Sequence, residues 1–410
     1  MPRILLSAYA CEPGRGSEPG VGWSWATELA RQGHEVTVVT RAVNRPTIEL
    51  HIQWLPNPIN FIYYDLPAWL QRVRRFPGGK QLYYVLWQWF AARMMRRCFP
   101  RLPFDVVQHV TYVSVRYPSF MGSLGIPFYF GPVSGGEAVP PALRSGFPAG
   151  EQCREILREL SNRWVRIDPL MRRTFQQASR ILVTRDTLPL LPRDVRHKAT
   201  QTLAVGVPRD FPRHAKPAHR NSGFRLLYVG RLLDWKGVDI ALHAVSLARQ
   251  RCPHVTITIV GAGPAERRLH TLGRELGLNG AVHWAGWEPQ SQLPSYYQNS
   301  EVFIFPSLRD SGGMVVLEAL AFGVPVLCTD LGGPGLIVNQ SCGRAIAAGG
   351  RTRQELARAF SDALLDVICE PGLRVALSRT ARLRATRFSF ERLVRSVFPR
   401  PSSKTMEHLA

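Results

Sequence analysis

The sequence is short of acid. Across 410 residues, 30 Asp and Glu stand against 52 Lys and Arg, a formal charge of +22. A chain this basic points to an anionic partner: nucleic acid, anionic lipid or a phosphorylated substrate. It has no Cys-x-x-Cys, and its seven cysteines (11, 98, 153, 252, 328, 342 and 369) are scattered. Their odd number and spread argue against a disulfide framework and for a reducing compartment. No Asp-x-Asp occurs, and no cluster of metal-ligating side chains is visible. No apolar run reaches the length of a membrane span. The apolar piece before Cys11 is too short for a lipoprotein signal and reads as a first β-strand. Internal repeats and long low-complexity segments are lacking. With 45% hydrophobic residues the chain is globular, and its length allows two domains, each with its own core.

The most informative stretch is 306–325, PSLRDSGGMVVLEALAFGVP. An apolar run before it, EVFIF, reads as a buried strand that Pro306 and Ser307 stop. Asp310 follows in a polar loop with Ser311, Gly312 and Gly313. Residues 314–321 have a helical pattern, ended by Gly323 and Pro325, and a second strand comes next. Strand, glycine loop, helix and strand is the order of a parallel α/β sheet. Paired glycines let backbone N–H groups approach a ligand, and a helix N-terminus suits phosphate or sugar oxygens. Asp310 and Glu318 lie eight residues apart and can accept hydrogen bonds from separate hydroxyls of one extended ligand. Alternatively, Asp310 is a helix cap and Glu318 a solvated helix residue.

Other loops follow the same plan. Residues 12–23, EPGRGSEPGVGW, read as a glycine-rich turn between a first strand and a helix over 25–31. His109 closes a strand over 104–110, where it is either packed or functional. A second glycine loop carries Glu137, either as a solvated turn residue or as a group facing the cleft. Residues 204–223 are rich in proline and polar side chains and mark the domain boundary. Beyond them a strand ends at Gly230, followed by the two cations Arg231 and Lys236, which suit a leaving diphosphate or are surface charges. Between Asp65 and Asp105 there is no acid, while residues 68–101 interleave eight Arg and Lys with Trp69, Tyr83, Tyr84, Trp87, Trp89 and Phe90. Two readings stand for that stretch: a packed helix with a solvated basic face, or a surface that meets anionic lipid.

Residues 306–325 resemble the donor-site signature of the retaining family 4 glycosyltransferases, which have the GT-B fold. Asp310 stands where the family usually has Glu, with Ser311-Gly312-Gly313 as the loop. Gly20 and Gly22 occupy the place of the family's first glycine loop, and Gly230-Arg231 with Lys236-Gly237 resembles its diphosphate element. The resemblance implies that Glu318 holds the ribose, and that Asp310, Gly312, Gly313, Met314 and Val315 hold the donor sugar and its surroundings. It implies that Arg231 and Lys236 hold the diphosphate, with Gly20, Gly22 and Gly263 lining the nucleotide path. His109 is then a candidate beside the reacting sugar, Glu137 a candidate for binding the acceptor, and Trp287 either a stacking partner for the base or a core residue. The shorter Asp310 bears on the choice of sugar.

The expected fold is therefore α/β, with two doubly wound Rossmann-like domains facing a cleft. An acceptor domain covers 1–205, a linker 206–222 and a donor domain 223–386, and a helix over 387–400 returns to the first domain. The expected reaction moves a sugar from a nucleoside-diphosphate sugar to an acceptor hydroxyl, with retention and without a metal or other cofactor. A saccharide or lipid-linked saccharide in cell-envelope glycan synthesis is the expected acceptor, and an anionic membrane face, not nucleic acid, the expected further partner. The cytoplasmic side of the membrane is the expected location. Two rivals remain: an epimerase or phosphorylase on the same fold, and a non-catalytic polyanion-binding protein.

Overall fold

The structure, a computed structural model, describes residues 1–99, 101–211 and 223–399. Most of the expected linker, 212–222, and the last residue of the expected closing helix lie outside them. Short Val/Ile/Leu-rich runs form two wholly parallel sheets, as expected for strands covered on both faces. The first contains β1 (Arg3–Ser7), β2 (Glu35–Arg41), β3 (Ile59–Tyr64), β4 (Val106–His109), β5 (Phe128–Val133), β6 (Arg180–Val183) and β7 (Ala199–Gln201), in the order β3-β2-β1-β4-β5-β6-β7. The second contains β8 (Phe224–Val229), β9 (Val255–Val260), β10 (Val282–Gly286), β11 (Val302–Phe305), β12 (Val326–Thr329) and β13 (Gly343–Ile346), in the order β10-β9-β8-β11-β12-β13.

Both orders reverse direction once, between β1 and β4 and between β8 and β11. A doubly wound sheet opens a crevice at such a switch point, beyond the carboxyl ends of its strands. The loops after these four strands meet in one cleft. Residues 14–19 reach it from β1, Val110 and Val113 from β4, Gly230 from β8, and residues 310–313 from β11.

The last described helix, Phe390–Val397, buries Phe390, Val394 and Val397 among Ile4, Leu6 and Trp25 of the first domain. Val207 pairs with Ser389 beside it, so the chain crosses between the domains twice at one place. Among the described residues, no helix is long and apolar enough to cross a membrane.

Two expectations change here. The glycine turn at 12–23 is largely helical, because the helix starts at Ser17 and runs to Arg31. Gly20 and Gly22 thus sit inside a helix and do not line the cleft. Their lack of a side chain serves packing: a Cβ on Gly22 would lie 2.1 Å from the Ala10 carbonyl oxygen, and one on Gly20 2.1 Å from that of Arg15. Gly14 and Gly16, just before the helix, line the cleft instead. In the 68–101 stretch, Tyr83, Tyr84 and Trp87 belong to the first-domain core, inside the helix Gly79–Cys98. Trp69, Phe76, Leu82 and Trp89 remain exposed, as do Arg72, Arg74, Arg75, Arg93, Arg96 and Arg97.

Candidate active site

The cleft between the sheets has a volume of about 900 Å³, the size of a site for a nucleotide-sized ligand. Its chemistry gathers at the N-terminus of the helix Met314–Ala321. Gly313 enters that helix with φ 70°, a left-handed conformation that a side chain would strain. The turn aims the Gly312 and Gly313 N–H groups at Asp310, whose Oδ1 accepts both at 3.0 and 2.7 Å. Asp310 Oδ2 faces the Lys236 ammonium at 2.5 Å. The carboxylate thus caps the loop and pairs with the cation at once. Burial alone would raise its pKa, but the Lys236 charge and hydrogen bond and the two N–H donors outweigh burial and hold it below the usual carboxylate range. Arg231 follows Gly230, which lines the cleft, but does not line it itself; it is exposed and takes no side-chain partner among the described residues.

Glu318 lies on the cleft wall, 4% exposed. Its Oε2 accepts from the Tyr297 hydroxyl at 2.8 Å and its Oε1 from the Gln290 amide at 3.3 Å. Both donors are neutral, so burial dominates and pushes the carboxyl up to about 7. Gln290, Leu293 and Trp287 line the same end of the cleft, and Trp287 is 70% exposed, which rules out its reading as a core residue. Met314 and Val315 line the cleft too. Gly263 does not: a Cβ there would lie 2.3 Å from the Leu232 carbonyl oxygen, so this glycine allows one loop to pack on another.

His109 is also a correction. It is fully buried at the end of β4 and does not line the cleft. Its Nε2 lies 2.9 Å from the Tyr84 hydroxyl and 3.1 Å from the Gln88 amide, both on the helix Gly79–Cys98. The ring joins that helix to the sheet. Burial lowers its pKa to about 3, so it stays neutral and cannot relay protons near neutral pH.

A smaller pocket of about 330 Å³ adjoins the cleft on the first-domain side, sharing Glu18, Lys236 and Asp310 with it. Glu137 lines it, buried, its carboxylate accepting from the Gly135 N–H at 3.0 Å and the Thr184 hydroxyl at 3.1 Å. Burial raises its pKa despite those donors and nearby Arg158. Three guanidiniums line the pocket: Arg116, Arg158 and Arg309. Arg116 donates to Gly135 O at 2.8 Å and Asn162 Oδ1 at 2.6 Å, and Arg158 to Gly135 O at 2.9 Å. These partners are neutral. Arg309 pairs with buried Glu155. Burial and the neighbouring Arg158 charge bring Arg116 down to about 10 and lower Arg309 as well. Lys236 and Arg309 are ion-paired, whereas Arg116 and Arg158 donate only to neutral groups and are free to meet a negatively charged one.

Sequence reasoning missed this cluster, since Arg116, Arg158 and Arg309 are far apart in the chain. It also missed Glu18, whose Oε2 accepts from the Tyr112 N–H at 2.8 Å. Ser17 and Tyr112, with φ of 59° and 56°, are the non-glycine residues of left-handed backbone among the described residues. Both line these pockets, so backbone strain is concentrated at the site. Among the described residues, no three His, Cys, Asp or Glu side chains are placed to hold a metal ion.

Two doubly wound parallel domains with this cleft between them define the GT-B class. Residues 211–384, which contain the second sheet, match the family model described as "Glycosyl transferases group 1". Curated relatives include the D-inositol 3-phosphate glycosyltransferases of Corynebacterium urealyticum, 32% identical over 171 residues (40% of this chain, 39% of the relative), and of Frankia alni, 30% identical over 212 residues (48% and 51%). The chain thus matches between about two fifths and one half of these relatives' length. Similar solved structures include WaaG, a glycosyltransferase involved in lipopolysaccharide biosynthesis (18% identity, 97% of this chain and 100% of that one, TM-score 0.61). Another is Anabaena Alr3699/HepE in complex with UDP (16% identity, 100% of both chains, TM-score 0.60). At these identities the likeness shows the fold.

Proposed function

We propose that this protein transfers a glycosyl unit, with retention at the anomeric carbon, from a nucleoside-diphosphate sugar to a hydroxyl of a phosphate-bearing acceptor. The observation that carries this reading is the line of Glu318, the glycine turn, Asp310 and Lys236 along one cleft wall. Glu318 suits a ribose, having acceptor capacity at both carboxyl oxygens. Lys236 and the exposed Arg231 suit the diphosphate, whose charge grows as it leaves. Asp310 and the turn then face the sugar. HepE and its complex with UDP make a uridine nucleotide the first donor to try. The test is a donor-hydrolysis screen over UDP- and GDP-sugars, read as released nucleoside diphosphate. Release from one sugar above the others is expected, and Asp310→Glu should change the ranking of sugars while nucleotide affinity stays within about threefold. A folded protein that releases diphosphate from none of them overturns the reading.

The arginine pocket supports an anionic group on the acceptor. The relatives' names specify a phosphorylated acceptor, and an inositol phosphate is one form of it. The favoured form is a lipid-linked (di)phosphate saccharide used in cell-envelope glycan synthesis, met at the cytoplasmic face of the membrane. The basic, aromatic surface over 68–101 favours it, because exposed Trp69, Phe76 and Trp89 lie among arginines. Arg158→Gln should raise the KM for a phosphorylated acceptor at least ~10-fold, the scale of losing one charge-assisted hydrogen bond. KM for the donor should stay within about twofold. Equal losses for acceptors with and without phosphate would place Arg158 in loop support only.

A further inference from the structure

The helix Ala149–Trp164 is amphipathic the wrong way round. Its protein-facing side is polar: Glu155 pairs with Arg309, Arg158 donates to the Gly135 and Glu137 carbonyls, Glu159 pairs with Arg144, and Asn162 meets Arg116. Its outward side is apolar. Ile156, Leu157, Leu160 and Trp164, with Ile167 and Leu170 just beyond, are each between 49% and 60% exposed. At about 100° per residue, the two sets fall on opposite faces, with Arg154 and Arg163 at the two borders between them. An outward apolar stripe of this kind does nothing for the stability of a protein in water and marks a contact.

The charges around the stripe choose the partner. From 153 to 173, every fully exposed charged side chain is an arginine: Arg154, Arg163, Arg166, Arg172 and Arg173. The acids of the segment are turned away or engaged. Glu155 is buried, Glu159 is paired, and Asp168 caps the following helix by accepting from the Leu170 and Met171 N–H groups. Nearby acids do reach two of the arginines, since Arg154 pairs with Glu151 and Arg172 lies 3.9 Å from Asp194. The face as a whole stays basic. Leu, Ile and Trp in a border of Arg are the composition of a helix that lies in the headgroup region of an anionic leaflet.

We infer that the outward face of residues 153–173 is a membrane-docking surface, inserting Ile156, Leu157, Leu160 and Trp164 into an anionic leaflet. The opposite face of the same helix supplies Arg158 to the anion pocket and Glu155 to the ion pair with Arg309, next to Asp310. Docking would therefore set the acceptor pocket at headgroup depth, where a lipid-borne phosphate lies. This deepens the proposed lipid-linked acceptor and rests on that reading for its purpose, whereas the docking surface itself is tested without any sugar chemistry.

The test is sedimentation with vesicles of phosphatidylcholine with and without phosphatidylglycerol, at low and high salt. Leu157→Glu/Leu160→Glu should lower partition onto the mixed vesicles at least ~10-fold at both salt concentrations, since the lost contribution is apolar. Changing Arg72, Arg74, Arg75, Arg93, Arg96 and Arg97 to Gln should weaken binding at low salt only. Nucleoside-diphosphate binding should stay intact in both variants and reports on fold and donor site separately. A second readout uses Cys153, which is exposed on the stripe. In a Cys98→Ser/Cys369→Ser background, a polarity-sensitive dye on Cys153 should shift to the blue on vesicles and be quenched by brominated acyl chains. Wild-type partition in the Leu157→Glu/Leu160→Glu variant, or an unchanged dye, overturns the proposal. So does a wild-type dimer that this double variant dissociates while the dye ignores vesicles, because the stripe is then a contact between copies.

Discussion

Lys236→Ala lowers kcat by at least ~10²-fold, about 2.7–4 kcal/mol, the scale of removing one preorganised donor at a developing charge. The ammonium is held at 2.5 Å from Asp310 Oδ2, 18% exposed, on the cleft wall that Gly230 and the glycine turn also line. An ion held there before the reaction needs no reorganisation when the sugar–phosphate bond breaks, so its effect belongs to kcat more than to donor binding. The substitution has a second consequence. It leaves Asp310 buried with only the Gly312 and Gly313 N–H groups, and its pKa rises toward the value burial imposes. Lys236→Ala/Asp310→Asn separates the two effects, because it removes the stranded carboxylate without returning the cation. Thermal stability should recover in the double variant and turnover should not. Arg231→Ala should lower kcat in the same direction with no loss of stability, since the exposed side chain has no partner to lose among the described residues. Wild-type turnover in Lys236→Ala, measured with saturating donor, would remove the lysine from the chemistry.

Glu318→Ala should weaken nucleoside-diphosphate binding by about 1.5–3 kcal/mol, or roughly 10- to 150-fold, as expected for a charge-assisted pair with ribose hydroxyls. The protonation state of this residue gives a sharper form of the experiment. Burial pushes the carboxyl up to about 7, against an ordinary 4.5. Ribose hydroxyls donate best to the ionised form, so wild-type affinity should rise as pH goes from 6 to 8, with a proton released on binding at the lower pH. The sign of the stability effect is opposite. A raised carboxyl means the folded state binds more protons than the unfolded chain between those two pKa values. Stability therefore falls as pH rises from about 4.5 through about 7, by an upper bound on the order of 3 kcal/mol. Glu318→Gln removes this penalty. The variant should melt higher than wild type at pH 8 and converge with it near pH 4, with weak nucleotide binding that no longer varies with pH. Scanning calorimetry and titration calorimetry on the same samples check both halves, and a pH-independent wild-type affinity would take Glu318 out of the nucleotide site.

Much of one cleft wall was legible in the chain because it is local. Residues 302–329 carry a strand, a glycine turn, a helix and a strand in one piece, so Asp310, Gly312, Gly313 and Glu318 needed only short-range geometry to share a wall. Lys236 was legible for the same reason, as a cation just after a strand end, whereas Arg231 beside it does not line the cleft. The glycine loop at 12–23 misled: Gly20 and Gly22 read as ligand-binding turn residues, and only the approach of the Ala10 and Arg15 carbonyls shows why a helix needs them there. His109 misled because a strand end says nothing about which face its side chain takes. The helix Gly79–Cys98, packed over that face through Tyr84 and Gln88, buries it.

By itself, then, the sequence determined the parallel α/β class, the strand-end loops and the residues from Asp310 to Glu318 that share one cleft wall, all of which follow from runs of a few residues and their turn chemistry. Tertiary structure alone decided the rest. The arginine pocket joins positions 116, 158 and 309 from two domains. Glu318 meets Tyr297 and Gln290 across a loop, and that meeting, with burial, sets its protonation. The helix Ala149–Trp164 presents its apolar side outward because Glu155, Arg158, Glu159 and Asn162 all find partners inside. Hydrophobic periodicity specifies that a helix has two faces. Which face is turned inward depends on partners supplied by distant parts of the chain, and here the ion pairs and hydrogen bonds of Glu155, Arg158, Glu159 and Asn162 outweighed the burial of leucine.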